Sequence, residues 1–434
     1  MTTPTEPTDW SPEVEDIRRR REMAKLMGGD EGIARQRKNG KGTVRERIDG
    51  LFDKGSFREF GSLSGEAEYE DGKLVGFTPS NLVIGVGEID GQRVAVSADD
   101  FTIRGGASDG GGGVKDTWVH DIAHDWRIPF VRLIDGGSGS IRGAIDEGRT
   151  HVPTDPSFRG QWRLLSEVPV VSAIVGPAAG SNSAKAVAAH FTIMVEGTGQ
   201  IFVAGPPLVR RALGAPIDKN DLGGTKVHLY NGVADNKAVD EADCFDQIRR
   251  YLSYLPPNVW SEPKRVETGD PPDRKEEALL SIIPRNRRRA YDVRKILDLV
   301  LDKGSFFELT PYFGRSVVTG FARLDGYPVG ITANDPKINA GAMDRDSSEK
   351  LMRFIDNCDN FHLPIVNFVD QPGFMLGHAA ESAGTPRMGM RMLWAADQST
   401  TPWVSILMRK CFGVAGMAHY RFGKLNLRYA WPSA

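Results

Sequence analysis

Cysteine is nearly absent: Cys244, Cys358 and Cys411 are the only three in 434 residues, far apart and without a CxxC pair. That excludes a disulfide framework and a cysteine-rich zinc site, and leaves thiols expected to be buried. A charge excess is also missing. Lys and Arg number 55 against 57 Asp and Glu, a formal net charge of −2, so nothing marks a nucleic-acid partner and any anion site must be local. No run approaches the roughly 18 apolar residues of a membrane-spanning helix. The Thr/Pro/Glu/Asp-rich start lacks the apolar stretch of a secretory signal. The composition reads as a soluble cytoplasmic protein that binds neither membrane nor nucleic acid. Familiar catalytic motifs are missing too: no G-x-S-x-G elbow with a triad, no G-x-x-x-x-G-K-[ST] phosphate loop, and no H-E-x-x-H spacing among His190, His228, His378 and His419, so no metal is expected.

What is present is a repeat. Residues 43–183 recur, motif by motif, in residues 292–416. Val44-Arg45 and Leu51-Phe52-Asp53-Lys54-Gly55-Ser56-Phe57 return as Val293-Arg294 and Val300-Leu301-Asp302-Lys303-Gly304-Ser305-Phe306. Ile89-Asp90-Gly91 and Ala98-Asp99-Asp100 return as Leu324-Asp325-Gly326 and Ala333-Asn334-Asp335. Ile128–Asp135 matches Leu363–Asp370 at a displacement of 235, and Val168-Pro169 leading to Gly180 matches Thr401-Pro402 leading to Gly413 at 233. Two copies of one domain are implied, with a site built from two similar halves.

The length suits two domains of ordinary size. Residues 1–12 read as a polar tail, Glu13–Leu26 as a helix, 13–270 as the N-terminal domain and 271–434 as the C-terminal one. The Pro-rich stretch around Pro256-Pro257 and Gly269-Asp270-Pro271-Pro272 is the expected linker. Val94–Val96, Phe130–Ile134 and Val170–Val175 read as buried strands, with Val329–Thr332, Ile365–Val369 and Trp403–Leu407 as counterparts; Val114–His124 and Ser347–Asn360 read as intervening helices. The fold class is α/β.

In each half a strand runs into glycine before a helix: Gly176-Pro177-Ala178-Ala179-Gly180-Ser181 in the first, Gly413-Val414-Ala415 in the second. Backbone N–H groups at a helix start suit an oxyanion, and small residues let a ligand oxygen approach. The competing reading, that glycine only lets helix and strand pack closely, would suffice for one such turn; finding it twice at matched positions favours paired oxyanion sites. Asp135 and Asp370 end the preceding strand of each half. They are candidate bases, but a strand-end carboxylate more often holds neighbouring backbone, and a structural role is preferred. The Gly105–Gly113 loop lacks dinucleotide spacing, and the Arg18–Arg21 and Arg285–Arg289 runs read as solvated faces.

These motifs resemble the carboxyltransferase (β) subunits of biotin-dependent acyl-CoA carboxylases. Gly40-Lys41-Gly42-Thr43-Val44-Arg45-Glu46-Arg47-Ile48 is similar to that family's GK-x-TARERI signature, and Gly176-Pro177-Ala178-Ala179-Gly180 to its GP-x-AGG turn. Phe368-Val369-Asp370 with Pro372-Gly373-Phe374, then Arg409-Lys410 and Trp431-Pro432, follow in the family's order. The resemblance implies a crotonase-like β-β-α superhelix in each half and a ring of subunits, commonly a hexamer. It implies transfer of a carboxyl group from carboxybiotin, on a biotin carboxylase or biotin carboxyl carrier partner, to the α-carbon of an acyl-CoA through a thioester enolate. The family pattern assigns Gly180 and Ser181 to the enolate oxygen, and Val414 and Ala415 to the ureido oxygen of biotin. Gly137, Ser138, Gly139, Ala179, Gly413 and Met417 would line the substrates. Ser181 and Val414 stand where many relatives have glycine. Met417 replaces an Asp of propionyl-type relatives, which counts against a propionyl substrate, and Gly205-Pro206-Pro207 and Gly373-Phe374-Met375-Leu376-Gly377, with Glu381, Gly384 and Arg387 downstream, look more like the methylcrotonoyl and geranyl branch, which handles larger acyl groups. The ending at Trp431-Pro432-Ser433-Ala434 implies a partial chain.

Three other readings stay open. A decarboxylase subunit would use the same oxyanion sites in reverse. A crotonase-type hydratase or isomerase would need a carboxylate pair, and no Glu follows Gly180 within a turn. An inactive acyl-CoA-binding scaffold would retain the turns without the chemistry.

Overall fold

A computed structural model of the chain describes residues 9–107, 110–137, 156–419, 424 and 426–434. In it the repeated motifs are the fastenings of two similar sheets. Thr43 caps the helix Val44–Leu51 reciprocally, its hydroxyl accepting from the Glu46 N–H at 3.2 Å and its own N–H donating to Glu46 Oε2 at 2.8 Å. Asp292 caps the matching helix Val293–Val300 through the Arg294 N–H. Asp53 accepts from the Asp90 and Gly91 N–H groups at 3.2 and 2.9 Å, and Asp302 from those of Asp325 and Gly326 at 3.0 and 2.8 Å. Both Asp-Gly pairs have positive φ, the signature of a tight two-residue hairpin turn.

The first sheet runs β1 (Arg58–Phe60), β4 (Leu82–Ile89), β5 (Gln92–Asp99), β6 (Phe130–Gly137), β7 (Val170–Ala179), β8 (Phe191–Val195), with a separate hairpin of β2 (Gly65–Glu70) and β3 (Lys73–Pro79). β1–β4–β5 pair antiparallel and β5–β6–β7–β8 parallel, and β9 (Gln200–Phe202) also pairs parallel with the end of β7. After the short β10 (Asn236–Ala238), the second sheet repeats the plan: β11 (Phe307–Leu309), β12 (Val317–Leu324), β13 (Tyr327–Asn334), β14 (Ile365–Gln371), β15 (Trp403–Cys411) and β16 (Asn426–Ala430), antiparallel through β13 and parallel beyond it. All six expected strands lie inside observed ones, and the two crossover helices are Gly110–Trp126 and Arg345–Asn360. β14 is buried throughout and β6 at every residue but Gly137, which is why both read as unbroken apolar runs. Each half packs its own core, with Ile84, Val119, Phe130 and Leu164 in one and Leu297, Ile331 and Phe368 in the other. A fully buried side chain of this kind contributes about 1.5–3 kcal/mol.

The chain divides into two units, one reaching Thr225 and including Ala238–Phe245, the other comprising Lys226–Lys237 and Asp246–Ala434. The Pro-rich stretch expected as the linker packs within the second unit. Val266 N–H donates to the Gly326 carbonyl at 3.1 Å, Arg265 pairs with Asp325 at 2.6 Å, and Asp270 accepts from the Lys303 N–H at 3.0 Å. Proline limits the local conformation there without freeing the chain from its neighbours. The N-terminal helix is Ser11–Lys25, starting within the expected tail because Pro12 fits its first turn; residues 1–8 of that tail lie outside the described residues.

One irregularity is shared by both sheets. β6 and β7 keep register from Phe130↔Val170 to Ile134↔Ile174 and then shift to Gly136↔Ala178; β14 and β15 do the same between Val369 and Gln371↔Cys411. Asp135 and Asp370 sit at these shifts, both fully buried. Asp135 accepts from Lys41 Nζ at 2.6 Å, Gln36 Nε2 at 2.7 Å and Arg47 at 2.8 Å, and Arg47 also pairs with Glu241 at 2.7 Å. Asp370 accepts from Tyr291 Oη at 2.9 Å, Arg409 Nε at 3.1 Å and the Lys410 N–H at 3.2 Å. A Cβ on Gly176 would lie 1.9 Å from Asp135 Oδ1, so only glycine fits; the matching position in the second lobe is Arg409. The carboxylates are therefore anchors, as the sequence reading preferred. Asp135→Asn leaves Lys41 and Arg47 buried beside a neutral amide and should cost about 3–5 kcal/mol in urea-unfolding stability; a loss below about 1 kcal/mol would show that the pairing does not hold this corner together.

Candidate active site

The ends of β6 and β7 lie side by side. Gly136 pairs with Ala178 and Gly137 with Ala179, so two of the expected lining residues are neighbours. Gly180 follows at φ 63° and ψ −125°, and the helix Ser181–Val187 starts behind it. Asn182, in its first turn, donates from Nδ2 to the Gly136 carbonyl at 3.1 Å and to Asp99 Oδ2 at 3.1 Å, tying the helix start to β6 and β5. Ser138 and Gly139 lie outside the described residues.

The assignment of Gly180 as an oxyanion donor needs correction. Its N–H donates to the Phe202 carbonyl at 3.3 Å, a long bond but one made inside the lobe. The cause is β9, which pairs Ala178 with Ile201 and Ala179 with Phe202 and draws in the next N–H along. Strand β7 also continues to Ala179, past the expected end at Val175. Nothing local in Gln200-Ile201-Phe202 signals this partner. Ser181 is half-buried and opens the helix.

In the second lobe the Gln371 side chain bridges the two strand ends, donating to the Phe412 carbonyl at 3.3 Å and accepting from the Gly373 N–H at 2.6 Å. Gly413, at φ 66° and exposed, leads into a short 3₁₀ helix, Val414–His419, which closes with the Gly416 N–H on the Gly413 carbonyl at 3.1 Å. Among the described residues the Val414 and Ala415 N–H groups have no hydrogen-bond partner, as the first residues of a helix do not. Val414 is 52% exposed and Ala415 fully buried, so this pair of donors sits on the boundary between core and solvent. Met417 is half-buried and three residues on from Val414, directly below it in a 3₁₀ turn.

Behind the first turn lies a charged cluster the sequence reading missed. Asp116, buried on the crossover helix, accepts from Arg132 of β6 at 2.6 Å, from Lys185 of the helix Ser181–Val187 at 3.0 Å and from Ser97 at 3.2 Å, and Arg132 also meets His120 at 3.0 Å. Burial opposes the Asp116 charge, yet Arg132, His120 and Lys185 together hold its carboxyl well below the usual carboxylate range. The corresponding positions of the second lobe are Leu351, Asn367, Ile355 and Ala418. There Asn367 accepts from Thr332 at 2.7 Å and meets His419 at 2.8 Å, and burial pushes His419 down to about 4, keeping it neutral. Isolated charges in apolar runs gave no sign that Asp116, Arg132 and Lys185 meet. Among the described residues no group of three or more His, Cys, Asp or Glu could hold a metal ion, and no helix is long and apolar enough to cross a membrane.

The Asp116 cluster has a pH consequence. A carboxyl depressed in the folded state stabilises above its unfolded value of 3.8, and that contribution is lost as pH falls further, through the folded value. Asp116→Asn should cost about 3–5 kcal/mol at neutral pH and flatten the acid limb of stability against pH below about 4. Parallel acid limbs for the two proteins in urea titrations would refute the assignment.

Residues 35–434 match the carboxyl transferase domain family. The chain is 38% identical over 427 residues to the carboxyltransferase subunit of propionyl-CoA carboxylase from Haloferax mediterranei, covering 97% of this chain and 82% of that one. It is 34% identical over 432 residues to methylmalonyl-CoA decarboxylase subunit alpha from Veillonella parvula, covering 97% and 83%. Among solved structures, the transcarboxylase 12S hexamer with methylmalonyl-coenzyme A bound aligns with a TM-score of 0.88 at 29% identity, over 99% of this chain and 84% of that one. A single-chain, multi-domain long-chain acyl-CoA carboxylase aligns with a TM-score of 0.82 at 29% identity, over 96% and 41%.

Proposed function

The chain belongs to the carboxyl transferase family, and we propose how its two lobes share the work of moving a carboxyl group between a biotin carrier and an acyl-CoA. It is a carboxyltransferase of the biotin-dependent acyl-CoA carboxylase type, with the crotonase-like fold in each lobe. Carboxybiotin, when its carrier delivers it, supplies the carboxyl group.

The first lobe takes the acyl-CoA. Gly137 and Ala179 form a floor with little side-chain bulk, and the Gly180-Ser181 turn faces the thioester oxygen. The Gly180 N–H is bonded to Phe202 inside the lobe, and the family pattern assigns Ser181, at the helix start, to the same oxygen. The second lobe takes the ureido oxygen of biotin on the Val414 and Ala415 N–H groups, whose lack of a partner among the described residues is the observation that carries this reading. Donors already fixed by a helix start need no reorganisation as charge develops, which is how a site without acid or base side chains accelerates transfer. The first turn, Ser181-Asn182-Ser183, offers no carboxylate, which argues against hydration or isomerisation.

A propionyl-sized acyl group is the first candidate substrate. The larger groups suggested by the Gly205-Pro206-Pro207 and Gly373–Gly377 segments give way to relatives named for propionyl-CoA and methylmalonyl-CoA that align over 97% of the chain. The decarboxylase direction is a second reading, favoured by the Veillonella relative. A biotin carboxylase with its carrier domain is the proposed partner, and a hexameric ring the proposed assembly, in the cytoplasm.

The purified chain with its cognate biotinylated carrier should exchange labelled carboxyl with propionyl-CoA faster than with longer or branched acyl-CoAs. Transfer to none of them, or biotin-free hydration of an enoyl-CoA, would sink the reading. Val414→Pro removes one donor and distorts the turn; proline is tolerated at a first helical position, so the protein should fold while transfer falls about 10²-fold or more. Unchanged transfer would place the ureido oxygen elsewhere.

A further inference from the structure

The duplication supplies an internal control for one buried carboxyl. Asp99, at the end of β5, occupies the position of Asn334 at the end of β13. The strands around them are in identical register, Ala98 beside Leu133 and Ala333 beside Phe368. Asp99 Oδ2 accepts from the Asp135 N–H at 3.1 Å, and Asn334 Oδ1 accepts from the Asp370 N–H at 3.1 Å. One lobe thus performs with an amide what the other performs with a carboxyl group. In the first lobe that carboxyl has a further task, since Asp99 Oδ2 also accepts from Asn182, which reaches on to the Gly136 carbonyl. The residue matching Asn182 is Ala415, so the second lobe has no such clamp.

The surroundings of Asp99 do not suit a negative charge. It is 8% exposed, and the cations near it serve other carboxylates: Arg132 of β6 and Lys185 of the helix Ser181–Val187 pair with Asp116, and Lys41 and Arg47 pair with Asp135. Asp116 on the crossover helix and Asp135 on β6 add two negative neighbours, His120 faces Arg132, and Asp100 beside it on the chain is turned to Thr102.

We propose that Asp99 is a positioning residue that works as a neutral carboxylic acid, in the role an asparagine fills in the other lobe, and through Asn182 holds the Ser181 turn against β6. Burial first, then the Asp116 and Asp135 charges, push its carboxyl up to about 7, against the pull of Arg132 and the Asp135 N–H. A raised folded value means that stability falls as pH climbs from 3.8 to about 7, while an asparagine there escapes this loss. The turn it holds is the one assigned above to the acyl-CoA, so the activity arm of the test rests on that reading and the stability arm does not.

The experiment compares the full-length wild type with Asp99→Asn. Urea midpoints measured from about pH 3.5 to about pH 8.5 should coincide at the acid end, separate in favour of Asp99→Asn as pH climbs to about 7, and stay apart by a constant margin above it. With the biotinylated carrier present, the KM of the wild type for acyl-CoA should rise several-fold over the alkaline half of this range while its kcat changes little; the Asp99→Asn KM should stay flat. Asn182→Ala should raise KM several-fold at every pH. Parallel midpoint profiles, or a loss of about 10²-fold in kcat for Asp99→Asn at all pH values, would overturn the proposal, the latter by showing that the ionised carboxylate is needed. Diverging midpoints in a wild type that transfers no carboxyl would uphold the neutral acid and overturn the functional reading instead.

Discussion

A carboxylate sealed inside the end of a parallel sheet needs a cation, and the two lobes meet that demand from different directions. Asp135 and Asp370 sit at the same register shift, each fully buried and each at the point where two strands stop running in step. In the first lobe the counter-charges come from far along the chain, Lys41 and Arg47, and the neighbouring strand must offer a glycine, Gly176, to leave room. In the second the neighbouring strand itself carries the cation, Arg409, in the place of that glycine. Removing either partner would strand a charge in a dry interior, which costs far more than the pair contributes as a pair. The turn that follows each anchored corner, Gly180-Ser181 or Gly413-Val414-Ala415, inherits its position from this arrangement.

The lobes have since diverged in polarity. Behind the first turn stand Asp116, Arg132, Lys185 and His120; behind the second, Leu351, Asn367, Ala418 and Ile355. Lys185 belongs to the helix that opens at Ser181, so its bond to Asp116 ties that helix to the crossover helix and, through Arg132, to β6. The second turn lies on a 3₁₀ helix with a neutral histidine beneath it and donors at the protein's boundary. One backbone plan thus carries one turn backed by charged groups and one backed by neutral ones.

Much of this was legible in the residues. The repeat gave the two sheets because its motifs are caps and turns with local physics: Thr43 and Asp292 as helix caps, Asp53 and Asp302 holding Asp-Gly hairpins. The unbroken apolar runs gave buried parallel strands. The carboxyl transferase family was recognisable from the Gly40–Ile48 signature and the Gly176–Gly180 turn, and the match over residues 35–434 bears it out. The larger acyl group read from the Gly205-Pro206-Pro207 and Gly373–Gly377 segments went a different way from the named relatives, since short segments do not set the size of a pocket that the fold assembles from distant side chains.

By itself the sequence determined the duplication, the strands and where each chain reversal falls, because those follow from contacts within a few residues. Only the tertiary structure decided what each buried polar group meets: that β9 takes the Gly180 N–H, that Asp135 is closed by Lys41 and Arg47, and that Asp99 stands where the other lobe has Asn334. Those partners lie tens of residues away, and the free energy of a buried polar atom is set by whichever group the fold brings to it.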